Sequence, residues 1–224
     1  MKNVANNMNY HNTKSTYMIP NELTGKLNID YFAIKEYVTT HDYDFQNLIQ
    51  RFEKNDTLLT QEELAMIYYG YSFTSAYTEI SVIDDYCQFQ KLEEAKDEKA
   101  YELGKSILKR NPVSLKTLLK MYLVADILEK DDAEIRSYAQ RYYSLLGMIA
   151  ATGDGKTEKT AFKVIDVDDE YHILYKLFEV ENIKKQSFIK LQYDVFDFEQ
   201  SLCYNGTRMY FDISRPLERE QLNC

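Results

Sequence analysis

The sequence predicts an α+β fold: an N-terminal bundle of helices, then a small antiparallel sheet carrying one helix. Three observations point there. Through the first two thirds of the chain, apolar residues recur at three- and four-residue spacing, as on one face of a helix. After Thr157 the period falls to two, as in Ile189, Leu191, Tyr193 and Val195. Glycine and proline are scarce, 7 and 3 in 224 residues, too few for a turn-rich sandwich.

The expected organisation is a flexible N-terminus over 1–28, a helical region over 29–152, a sheet region packed on it over 153–217, and a tail over 218–224. Asp30 can cap a first helix through Ile34, Tyr37 and Val38. Phe45, Leu48, Ile49 and Phe52 form one face of a second. Thr60-Gln61-Glu62-Glu63 is a capping box opening a third, with Leu64, Tyr68 and Tyr71 inward and Tyr69 turned to solvent. The span 78–91 reads equally as extended or helical. Ala100, Leu103, Ile107 and Leu108 give a helix that ends near Asn111-Pro112. Ser114 caps the next, with Leu115, Leu118, Leu119, Tyr122 and Ala125 as its face. Asp131 and Glu134 open the last helix of the region, and Gly153 falls where a left-handed C-terminal cap is wanted.

Beyond the joint, 161–167 is β-branched and strand-like, and Tyr171, Leu174, Tyr175 and Phe178 return to helical spacing. The alternation from Ile189 to Val195 reads as one half-buried strand. Asn205-Gly206 signals a hairpin turn, Met209, Phe211 and Ile213 a closing strand, and Pro216 a stop. Three strands and a helix are near the lower limit for independent stability, so the sheet is expected to pack on the helices.

Gly155-Lys156-Thr157 resembles the end of a phosphate-binding loop, but its context excludes that reading. The motif needs glycine where Ala150 stands, and it needs strand, loop and helix in that order. Here a helix precedes the loop, so a phosphate would face the negative end of the helix dipole. The stretch 152–157 therefore reads as a turn between helices and sheet.

A formal net charge of −9 argues against a nucleic-acid partner, because phosphate affinity comes from clustered Lys and Arg. Lys184-Lys185 is too small a basic spot to change that. Cys87, Cys203 and Cys224 form no zinc or redox spacing. No segment has the apolar length of a membrane span, and 1–21 lacks the hydrophobic core of a secretory signal. As written the chain reads as cytoplasmic; removal of a signal peptide would make it periplasmic or exported. Neither a metal nor a cofactor is expected.

The candidate ligand site lies at the helix–sheet joint. Gly153-Asp154-Gly155 could form a backbone nest for an anion, with Asp154, Lys156 and Thr157 around it. His172 beside Glu170 could act as a base, and Tyr69 could line a groove. Carboxylates bunched as in Asp166, Asp168, Asp169 and Glu170 can hold a hard cation such as Ca²⁺, but the calcium-loop pattern is absent. The expected reading is that Asp168 or Asp169 caps the next helix and the rest face water. For His172 the alternative is a surface position at a helix start.

Two resemblances add to this. Ala100 and Pro112 have the spacing of the late alanine and closing proline of a tetratricopeptide repeat, although Gly104 stands where that family usually has an aromatic residue. More specifically, Arg51-Phe52, Asp56-Thr57, Leu59-Thr60 and Tyr68-Tyr69-Gly70 combine with 152–157, 160–165 and Glu170-Tyr171. Together they resemble an uncharacterised Bacteroides-type family, domain of unknown function four-nine-one-nine, over about 45–217. The resemblance implies a bacterial protein and brings no activity, cofactor or catalytic residue. Missing catalytic motifs lean away from an enzyme. The leading expectation is a protein-interaction or scaffolding module for a protein or peptide. The alternative is a small hydrolase or anionic-ligand-binding protein working at the joint.

Overall fold

The computed structural model describes Gly25 and residues 27–78 and 81–222. The helical layer is α1 (Tyr31–Thr40), α2 (Asp42–Glu53), α3 (Gln61–Tyr71), α4 (Ser81–Glu94), α5 (Lys99–Arg110), α6 (Leu115–Ile127) and α7 (Asp132–Ala150). The span left open between strand and helix, 78–91, thus falls largely within α4. The expectations for 1–24 and Cys224 lie outside the described residues.

The predicted caps form. Asp30 accepts from the amides of Phe32 and Ala33, both at 3.0 Å, and Ser114 accepts from Thr117. Thr60 and Glu63 close a full capping box. We expect Thr60→Ala to cost about 1 kcal/mol, and thermal unfolding should show it as a loss of about 2–4 °C in Tm. An unchanged Tm would mean that packing alone sets the start of α3. Asp131 caps α7, but Glu134 is drawn away to the Tyr101 hydroxyl, so the expected capping box there is incomplete.

The sheet is four-stranded and mixed, in the order β1-β4-β3-β2. Its strands are β1 (Phe162–Lys163), β2 (Ile183–Ile189), β3 (Tyr193–Phe198) and β4 (Arg208–Asp212). Instead of being wholly antiparallel, it includes β1, which lies parallel to β4. The single strand read from Ile189 to Val195 is a hairpin: Lys190 and Leu191 turn the chain with φ of 53° each, and Gln192 N–H closes the turn on Ile189 C=O at 3.2 Å. The strand read over 161–167 shrinks to the two residues of β1. Asn205-Gly206 sits inside the longer 199–207 connection between β3 and β4, rather than forming a two-residue turn.

Between β1 and β2 comes α8 (Asp168–His172), which runs on into a π-helical turn, Ile173–Leu177. Pro216 does not end the structure. It lies near the start of α9 (Ser214–Leu222), which crosses the expected boundary between sheet and tail.

The core is continuous across both layers. Tyr142, Leu145, Leu146 and Ile149 of α7 and Phe162, Phe196, Phe198, Met209 and Phe211 of the sheet are all buried. Phe196 meets Phe211 edge-on, with ring centroids 5.6 Å apart. Arg215 fastens α9 to the end of α3. It donates to the Ser72 carbonyl at 2.7 Å and lies 4.1 Å over the Phe73 ring.

Candidate functional site

The joint begins where α7 ends. Its last cap is Ala151 in right-handed conformation, so Gly153 is not the left-handed cap its position suggested. Glycine is needed there for a close approach: a Cβ on Gly153 would stand 2.2 Å from the Thr160 carbonyl oxygen. The left-handed residue is Gly155, at φ 67°.

The loop's polar groups are turned on one another. Asp154 Oδ1 accepts from the Lys156 amide at 3.0 Å, and Lys156 Nζ lies 3.8 Å from the same carboxylate. The Thr157 and Thr160 hydroxyls bond each other at 3.0 Å. Gly155 N–H donates to Thr160 C=O at 2.7 Å, and Gly155 C=O accepts from Tyr210 N–H of β4 at 2.8 Å. Burial raises the Asp154 pKa, but bonds from Thr160 and the Lys156 amide outweigh it and hold the carboxyl below its usual value. This is the bonding of a self-satisfied turn stitched to the sheet.

Tyr69 is fully buried, not turned to solvent, and its hydroxyl donates to Lys163 C=O at 2.9 Å. Two more hydroxyls hold the same connector: Tyr77 donates to Ile165 C=O at 2.6 Å, and Tyr68 accepts from Ile165 N–H at 3.2 Å. Three tyrosines from α3 and the turn after it thus clamp the irregular chain between β1 and α8.

The acidic run does not behave as a solvated cap. Asp166 Oδ1 accepts from the Asp168 amide, while Val167 occupies the cap position. Each acid of α8 and its start ties to a different element. Asp168 pairs with Lys116 of α6 at 2.6 Å, and Asp166 with Arg219 of α9 at 3.4 Å. Asp169, 4% exposed, accepts from the Tyr68 hydroxyl of α3 at 2.6 Å. Glu170, fully buried, faces Asp194 of β3.

Burial, followed by the charge of Asp166, pushes the Asp169 carboxyl far above the ordinary range. Burial, then Asp194, raises Glu170 to about 9. As two carboxylates, Glu170 and Asp194 cannot donate to each other, and the Glu170 oxygens then have no partner. With Glu170 protonated, its O–H can donate to Asp194, whose other bond comes from Gln186 Nε2 at 2.9 Å. A shared proton gives one of the two orphaned oxygens its partner.

His172 is half-buried, not a surface residue. Its Nδ1 lies 3.0 Å from the Tyr142 hydroxyl of α7, and burial lowers its pKa to about 4, so it is neutral at pH 7. Residues two apart on a helix do not face one another. Glu170 turns to β3 and His172 to α7, so the expected acid–base pair is not assembled. The structure brings Asp154, Lys156 and Thr157 together in one loop and sends Glu170, His172 and Tyr69 to three other contacts. Among the described residues, no group of three or more His, Cys, Asp or Glu side chains could hold a metal ion.

An exposed aromatic patch lies at the β2 edge of the sheet, beside α8. Tyr171 and Tyr175 stack at 5.9 Å, 36% and 42% exposed, and Phe188 of β2 is 47% exposed. Tyr171 is held by Phe196, edge-on at 5.6 Å, and its hydroxyl donates to Gln186 at 3.2 Å. π-Helical turns such as the one carrying Tyr175 occur often at functional sites. β2 is the end strand of the sheet, and Lys184, Lys185 and Lys190 on and just after it are exposed.

Two residues that matter here escaped the sequence reading, and each had a signal. Asp194 shares strand parity with Phe196 and Phe198, which marks it as inward-facing. Arg141 lies three residues after Tyr138 and four before Leu145, on the apolar face of its helix.

No helix among the described residues is long and apolar enough to cross a membrane. Comparison with curated proteins and with solved structures gave no match. A family model described as a domain of unknown function (DUF4919) matches residues 32–221, and the chain belongs to that family.

Proposed function

We propose that the protein is a non-enzymatic interaction module that receives an extended, acidic segment of a partner protein along the outer edge of β2. The observation that carries this reading is the seven-residue end strand bordered by the exposed row Tyr171, Tyr175 and Phe188. An end strand leaves alternate N–H and C=O groups free to pair with an added strand. Exposed aromatics beside it offer places for that strand's side chains. Charge selects the occupant: Lys184 and Lys185 form a basic spot on a chain of net charge −9, Lys190 being paired with Glu158, and that spot favours an acidic segment. The internal bonding of the joint and the divergence of His172 and Glu170 support a binding role over hydrolysis.

The reading is tested by placing a photo-crosslinking amino acid at Phe188 in cells, with Tyr43, 85% exposed on α2, as the control position. One partner protein should crosslink reproducibly at Phe188 and not at Tyr43, through a stretch of net negative charge. Lys184→Glu with Lys185→Glu should lower the yield at least about fivefold. Equal labelling at both positions, or crosslinks only to a second copy of the chain, would overturn the proposal.

A further inference from the structure

A buried acid can shed its charge by keeping a proton, as Glu170 does; a buried arginine cannot. Buried guanidinium groups are therefore found paired. Arg141, on the face of α7 that also carries Tyr138, is 8% exposed. Its Nε makes only a long bond, 3.4 Å, to Ser137 C=O of its own helix. Among the described residues it has no ion pair within 4.0 Å. Tyr138 covers one face of the guanidinium, with the ring centroid 5.0 Å away. Stacking of this kind fixes the plane of the group and leaves its N–H edge to bind.

Two other charges share this place. Glu53, the last residue of α2, is exposed and feels both Arg141 and Lys109 of α5. Neither base closes on it, so Glu53 does not complete the pairing. On the neighbouring turn, the Asn55 amide donates to the Gln140 side chain and ties α2 to α7.

We infer that Arg141, reinforced by the charge of Lys109, forms a binding site for a small oxyanion, a carboxylate or a phosphate group, which supplies the pairing that Glu53 leaves unmade. The planar N–H fork of arginine matches either group with two parallel hydrogen bonds. Glu53 works against the ligand by like charge, and so sets how tightly it binds. The site lies where α7 meets the end of α2 and stands independently of the β2 edge.

The test is calorimetric titration of the purified protein with inorganic phosphate and, separately, with succinate, against sodium chloride at equal ionic strength. Melting curves run alongside. Phosphate also stabilises proteins by exclusion from their surface, so the result that counts is saturable binding that depends on these residues. We expect a Kd of about 1 mM or tighter for at least one anion. Glu53→Gln should tighten it at least about threefold, and Lys109→Ala should weaken it by a similar factor. Arg141→Met should abolish it. Should that variant fail to fold, the two exposed positions still decide. Binding of phosphate alone or succinate alone assigns the ligand class. No saturable heat with either anion, or affinity unmoved by Glu53→Gln and Lys109→Ala, overturns the inference.

Discussion

Gly153→Ala is expected to lower stability by about 3 kcal/mol, a clash rather than a lost cap. The new methyl carbon would stand 2.2 Å from the Thr160 carbonyl oxygen and 2.8 Å from that of Ala161. Both sides of the contact are main chain, so no side chain can swing aside. They are also fixed: Thr160 C=O holds the Gly155 amide at 2.7 Å, and the Thr152 hydroxyl accepts from Lys163 N–H at 3.1 Å. Thermal unfolding should show a Tm lower by about 6–12 °C in a chain of this size. Exposed Lys156→Ala, three positions further on, should stay within about 0.5 kcal/mol of wild type. A cost for Gly153→Ala of only about 1 kcal/mol, the usual price of removing a helix-end glycine, would refute the close-approach account.

Glu170→Gln should stabilise the protein, by an amount that grows with pH. Glu170 titrates near 4.5 in the unfolded chain and at about 9 in the folded one. Between those values the folded state keeps a proton that the unfolded state releases, so stability falls as pH rises through that window and levels off above it. Each pH unit is worth at most about 1.4 kcal/mol, which puts the gain from Glu170→Gln at about 2–3 kcal/mol at pH 7. Glutamine keeps the shape, and its amide can donate to Asp194 without carrying a titrating proton. Chemical denaturation at pH 5, 7 and 9 should show little difference at the first and the full difference at the last. A gain equal at all three would place its cause in packing, not in the shared proton. A loss at every pH would rule out the donor role of the Glu170 carboxyl.

Helix starts were legible because their signals are local. Asp30, Thr60 with Glu63, Ser114 and Asp131 all cap where their side chains suggested. The β2–β3 hairpin was hidden by the same logic. Its turn uses Lys190 and Leu191 in left-handed conformation, with no glycine or asparagine to mark it. The period-two pattern of Ile189, Leu191, Tyr193 and Val195 therefore ran straight through the bend. The acidic run was harder still. Nothing in Asp166-Val167-Asp168-Asp169-Glu170 tells which acids face water, because the partners lie far away in sequence: Tyr68, Lys116, Asp194 and Arg219. Tyr69 was misplaced for a related reason. α3 is covered on nearly every side, by α1, α2, α7 and the connector, and a helix buried all round has no outer face to predict from its period.

The hydroxyls of Tyr68, Tyr69 and Tyr77 grip the connector by its main chain, not by its side chains. The attachment itself does not depend on which side chains 163–165 carry, since every residue offers the same carbonyl and, proline aside, the same amide; Val164 and Ile165 are held by core packing instead. The tyrosines have no such freedom. Tyr68 adds a second bond, donating to the Asp169 carboxyl. Because the grip ties α3 and the turn after it to the segment leading from β1 into α8, loosening it is expected to release helices and sheet together.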